Sequence, residues 1–210
     1  EVKRRGVKVP PSVHLRAFVK SGATLSDGGL KEAIAKAGTP EAKKELEEAL
    51  AWSKAVNATI AHMVHDVPPF PFVRECLKKG GAKADMIVVS QTPTEALVRE
   101  WQEHNIDGHV SLIAGQELGK KSEHLKYSAG GRYDPSHILM IGDAPGDFTA
   151  AKENNALFFP INPGDEDTSW QRLFEEGLDR FFNGTFAGAY EKELTDEFNR
   201  LLPSVPPWRK

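Results

Sequence analysis

The stretch "SHILMIGDAPGDFTAAKENNALFFPI", residues 136–161, decides how this chain is read. Four apolar residues, Ile138 to Ile141, end abruptly in Gly142-Asp143. A second carboxylate, Asp147, follows four residues later, and then comes a helical pattern that leads to a second apolar run, "ALFFPI". A continuously apolar run of this length suits a strand buried on both faces. A strand that hands over to a helix and then to another strand indicates a parallel sheet with covering helices.

The same alternation extends upstream. Helix "FPFVRECLKKGG" leads to "MIVVS" at 86–90, helix "PTEALVREWQEHN" to "HVSLIAG" at 109–115, and helix "KSEHLKYSAGG" to "HILMIGD" at 137–143. Two amphipathic helices are expected near 168–182 and 186–202, followed by a Pro-rich tail at 203–210. Residues 1–68 have a different rhythm and read as all-helical. Thr39-Pro40 offers an N-cap and a first-turn proline to a long helix, and Pro68, Pro69 and Pro71 close that region. The expected organisation is therefore a helical domain at 1–68, an α/β core at 69–202 and the tail.

Composition narrows the function classes. Of the 210 residues, 27 are Lys or Arg and 30 are Asp or Glu, a net charge of -3 that gives no electrostatic reason for a nucleic-acid or anionic-membrane partner. The single cysteine, Cys76, excludes an intrachain disulfide and fits a cytoplasmic location. No apolar run reaches the roughly 20 residues that a membrane span needs.

Ligands of open parallel sheets bind beyond the carboxyl ends of the strands. Three loops lie there: Ser90-Gln91-Thr92, Gly115 to Lys121, and Asp143 to Asp147. A hydroxyl at Ser90, with the N–H groups of the following helix start, suits a phosphate oxygen; an ordinary N-cap is the plainer use of the same residue. Lys120 or Lys121 can offset phosphate charge. Asp143 and Asp147 are hard ligands of the kind Mg²⁺ takes alongside water and phosphate oxygens, although Asp147 also suits the first turn of a helix for electrostatic reasons.

In this order the three loops resemble the haloacid dehalogenase-like hydrolase superfamily. "VVSQTP" is similar to its second motif, "GKKSEHL" to its third and "MIGDAPGD" to its fourth. The resemblance covers about residues 70–165. It implies a Rossmann-like parallel sheet with an N-terminal helical cap, and a Mg²⁺-dependent phosphatase of a small phosphorylated metabolite. It also implies Ser90 and Lys121 as catalytic residues, with Lys120 in reserve. By the same resemblance Ser90, Gln91, Thr92 and Lys121 would bind substrate, and Asp143 and Asp147 would hold Mg²⁺.

The superfamily's first motif, an Asp-x-Asp after an apolar strand, has no counterpart. The nearest candidate, Asp27 in "GATLSDGGL", lacks both the strand and the paired Asp, and reads as a turn residue. The resemblance thus leaves a central strand missing between "MIVVS" and "ILMIG". The expected source of that strand, and of the nucleophile, is a segment upstream of Glu1, so that residues 1–210 alone are inactive. The alternatives are a non-catalytic homologue that binds a phosphorylated ligand or a partner, and a dehalogenase; the latter needs no metal, so the Gly-Asp-x-x-x-Asp loop argues for phosphate. Trp52 and Trp101 read as core or interface aromatics. His62 and His65 suggest a metal pair or a helix C-terminus. Arg16, Trp52 and Asn57 are candidates for facing a substrate from the cap.

Overall fold

The computed structural model describes residues 4–6, 10–202 and 205, so all of the Pro-rich tail except Val205 lies outside the described residues. The chain divides into two compact units, Glu1–His65 and Asp66–Lys210.

Among its described residues the first unit is helical. Helix α1 is Val13–Lys20, α2 is Asp27–Ala35 and α3 is Pro40–Met63. Local chemistry starts two of them. Ser26 Oγ accepts from Gly29 N–H at 3.1 Å to open α2, and Thr39 Oγ1 accepts from Ala42 N–H at 3.2 Å to open α3. Phe18, Leu30 and Leu46, one from each helix, make the small core of this unit. Asp27 is the first residue of α2 rather than part of a free turn, and its Oδ1 accepts from Ser53 Oγ at 2.7 Å. Trp52 is 70% exposed and is not a core residue: it lies off the face of α3 that carries Leu46, Ala49 and Leu50 into the core and Ser53 to Asp27. His62, in the last turn of α3, is exposed.

The second unit alternates helix and strand in the expected order: α4 (Val73–Gly81), β1 (Ile87–Val89), α5 (Thr94–Glu103), β2 (Leu112–Ala114), α6 (Lys121–Ala129), β3 (Leu139–Gly142), α7 (Pro145–Glu153) and β4 (Leu157–Pro160). The strands are shorter than the apolar runs that encode them. They form two separate two-stranded sheets rather than one. β1 pairs β2 in parallel, with Val88 opposite Ile113, and β3 pairs β4 in parallel, with Ile141 opposite Phe159. The fold is mixed α/β with parallel pairing, and among the described residues β1 and β3 each use one edge only.

Side-chain alternation along β3 and β4 explains their continuous apolar sequence. Leu157, Phe159 and Ile161 enter one cluster with Leu173, Leu178, Phe186, Tyr190 and Leu194, while Phe158 enters the other with Met140, Ala151 and Leu125. All four residues of β4 are buried. In contrast, β1 is half-buried throughout and most of β3 likewise. Val89 of β1 packs against the cluster containing Leu125 of α6 and Met140 of β3, so the two sheets share apolar contacts beneath one helix.

The expected helix at 168–182 is three pieces: α8 (Glu166–Arg172), a π-turn at Leu173–Gly177 and α9 (Leu178–Phe182). Gly177 allows the Phe159 ring to lie against the backbone, since a Cβ there would stand 2.8 Å from Phe159 Cε2. Lys79 Nζ donates to the Phe174 carbonyl in this turn at 2.7 Å and pairs with Asp179 at 2.8 Å, which satisfies an acceptor that the widened turn leaves open. The last helix, α10, is Ala189–Leu201 and covers β4.

Candidate functional site

The strand-end loops are stitched together by their own polar groups. Ser90 N–H donates to the Ala114 carbonyl at 2.9 Å, extending the β1–β2 ladder by one residue. Ser90 Oγ accepts from Thr92 N–H at 3.1 Å, which leaves its hydroxyl hydrogen available to donate. Gln91 Nε2 donates to the Gly119 carbonyl at 3.3 Å, tying the loop after β1 to the loop that carries Lys121. Thr92 contributes its carbonyl to Gln116 N–H at 3.1 Å.

The next contact has no signature in the sequence. Glu117 Oε2 accepts from both the backbone N–H of Thr94, at 3.0 Å, and its hydroxyl, at 2.8 Å. Pro93, which precedes α5, has no capping side chain, so this carboxylate from a neighbouring loop caps the helix. Loss of water pushes the Glu117 pKa up, but the two Thr94 donors outweigh this and hold it below the usual carboxylate range. Gly115 lets the loops approach: a Cβ there would meet Thr94 N at 2.5 Å and Thr92 O at 2.6 Å. An acidic residue in a polar loop has no periodicity or spacing to mark it as the cap of a distant helix.

At the end of β3, Asp147 is 2% exposed and fully engaged. Its Oδ1 lies 2.5 Å from Lys121 Nζ, and its Oδ2 accepts from Ala144 N–H at 3.1 Å. Asp147 therefore both caps α7 and anchors the lysine. Gly142 makes room for it, because a Cβ at that position would stand 2.4 Å from Asp147 Cγ. Asp143 is exposed, with no hydrogen bond or ion pair to another described residue. Of the two lysines, Lys121 is the one brought to Asp147; Lys120 is exposed, with its backbone N–H on Glu123 Oε2 at 2.9 Å.

The donor set bears on a metal as follows. Among the described residues no group of three His, Cys, Asp or Glu side chains is arranged to hold an ion. Asp143 offers a free carboxylate, and one carboxylate completed by water and substrate phosphate oxygens is within the habit of Mg²⁺. Asp147, with one oxygen on an ammonium and the other on a backbone N–H, is suited to positioning Lys121. Of the two carboxylates, Asp143 is therefore the one open to an ion, and the described residues form no all-protein cage.

No helix among the described residues is long and apolar enough to cross a membrane. No protein-family model, curated protein or solved structure matches the chain.

Proposed function

We propose that the chain is the helical cap and α/β core of a cytoplasmic haloacid dehalogenase-like hydrolase, a Mg²⁺-dependent phosphatase of a small phosphorylated metabolite. The observation that carries this reading is the Lys121–Asp147 pair, which joins the loop after β2 to the loop after β3 beside the free carboxylate of Asp143. Ser90 donates its hydroxyl hydrogen to a phosphate oxygen, with Gln91 and Thr92 lining the same loop. Lys121, held by Asp147, offsets the phosphoryl charge. Asp143 binds Mg²⁺, which when present polarises the phosphoryl group and balances its negative charge.

The attacking carboxylate comes from a further strand seated between β1 and β3. Support for this is physical: among the described residues each of these strands uses one edge only, both are mainly half-buried despite apolar sequences, and Val89 packs against the cluster that holds Met140 and Leu125. A parallel strand between them satisfies both rows of backbone groups. A second reading, a homologue that binds a phosphorylated ligand without turning it over, is favoured by the absence of an Asp-x-Asp directly after an apolar strand: the Asp-x-Asp that the 210 residues do contain, Asp165-Glu166-Asp167, opens α8.

Hydrolysis of p-nitrophenyl phosphate, with Mg²⁺ and with EDTA, tests the proposal on the 210-residue chain and on the same chain carrying its natural upstream sequence. Activity is expected only with the longer protein and the metal, and Ser90→Ala and Lys121→Ala are expected to lower it at least 10²-fold. If the longer protein binds inorganic phosphate but never turns over, the second reading replaces the first. If neither protein binds phosphate, both fail.

A further inference from the structure

Past the end of β4, residues 161–165 lead into α8, and Asn162 and Asp165 line a half-open pocket of about 30 Å³ together with Ser169, Arg172 and Glu197. It is independent of the carboxylates at the end of β3 and of the phosphatase reading. Asn162 is 7% exposed. Its backbone N–H donates to Ser169 Oγ at 2.9 Å, and its Nδ2 donates to Glu197 Oε1 at 3.1 Å. Its Oδ1 has no hydrogen-bond partner. Turning the amide over does not help, because Oδ1 would then face the Glu197 carboxylate. The neighbouring serine hydroxyl is also committed, donating to the Asp165 carbonyl at 2.8 Å. A buried acceptor in this state calls for a donor or a cation.

Charge decides between the two. Arg172 is shared among Glu176 at 3.8 Å, Glu193 at 3.2 Å and Glu197 at 3.3 Å, and Arg180 pairs with Glu176 at 2.7 Å. Asp165 takes a hydrogen bond from the Thr168 hydroxyl at 2.6 Å and has no cationic side chain among the described residues. Three carboxylates therefore share two guanidinium groups, and Asp165 pairs with neither. A neutral water would satisfy Asn162 Oδ1 but leave this excess of negative charge. A divalent ion would face the Arg172 guanidinium at close range and find too few oxygens for its shell.

We infer that this pocket is a site for a small monovalent cation, held by Asn162 Oδ1 with the carboxylates of Glu197 and Asp165. The ion ties the segment after β4 to α8 and α10, so its occupancy raises the stability of the second unit.

Thermal unfolding of the 210-residue chain in sodium, potassium and tetramethylammonium chlorides at one ionic strength, with sodium-NMR line widths, tests the site. A saturable rise in Tm of about 2–4 °C is expected for a small cation at roughly five times its Kd, relative to tetramethylammonium. Sodium line broadening should accompany it and be competed by potassium. Asn162→Leu and Glu197→Gln should each abolish both effects; where the leucine variant does not fold, the glutamine variant decides. Equal Tm in all three salts means an ordered water only and overturns the inference, as does a cation effect that persists unchanged in Glu197→Gln.

Discussion

Lys121 Nζ lies 2.5 Å from Asp147 Oδ1, and the aspartate side chain is 2% exposed against 22% for the lysine. The partners are unequal: removing the lysine strands a carboxylate in the interior, whereas removing the carboxylate leaves an ammonium that can turn to water. Lys121→Ala is therefore expected to cost about 3–5 kcal/mol, and Asp147→Asn, which keeps an acceptor for Ala144 N–H, roughly 1–3 kcal/mol. Urea denaturation measures both. Equal losses, or a larger loss for Asp147→Asn, would contradict the burial difference.

Gly142 and Gly146 lie on either side of the same short loop and should respond in opposite senses. A methyl group at 142 meets the Asp147 carboxylate, while one at 146, inside the first turn of α7, meets nothing within 4 Å. Gly142→Ala is expected to destabilise by about 1–3 kcal/mol, and Gly146→Ala to be neutral or stabilising by up to ~1 kcal/mol. Paired chemical denaturation curves decide it, and a harmless Gly142→Ala is the outcome that removes the packing argument.

The Glu117–Thr94 contact should appear as a pH dependence. Its folded carboxyl sits below the ordinary range, so the folded state releases this proton more readily than the unfolded chain does. The resulting stability is present above the unfolded value of about 4.3 and is lost as pH falls through the lower folded value. Glu117 is exposed, so the contribution is small and reduced by salt. Glu117→Gln should be less stable than the natural chain near neutral pH, with the gap closing in acid. A gap that does not change with pH would point to shape rather than charge.

Burial pushes the Cys76 thiol up to about 12, with Glu75 adding to the rise. Thiolate is the reactive form, so a disulfide reagent at mildly alkaline pH should leave the folded chain unmodified and react fully once denaturant is added. Rapid reaction under native conditions would show that α4 opens readily from the core that holds it.

What the sequence made legible follows physical rule. Apolar runs between helical periods announced the strands, and the parallel pairing of β3 with β4 follows from the helix that must cross between them. Thr39-Pro40 marked the start of α3 because a cap acts through nearest neighbours. The contacts that escaped notice are those made across space. Glu117 caps a helix that begins 23 residues earlier, and Gly177 leaves room for a ring on β4. Trp52 does not reach the core, because an aromatic at helical spacing says which face it lies on, not whether anything covers that face. The division of the strands into two pairs was equally hidden, since an apolar run carries no record of how many neighbours it acquires.

That division has a practical consequence. The outward rows of amide and carbonyl groups on β1 and β3 are templates onto which another extended chain can zip. Concentrated solutions of the 210 residues should therefore self-associate through backbone pairing, and a short peptide able to adopt the extended conformation should suppress that association where a helical one does not.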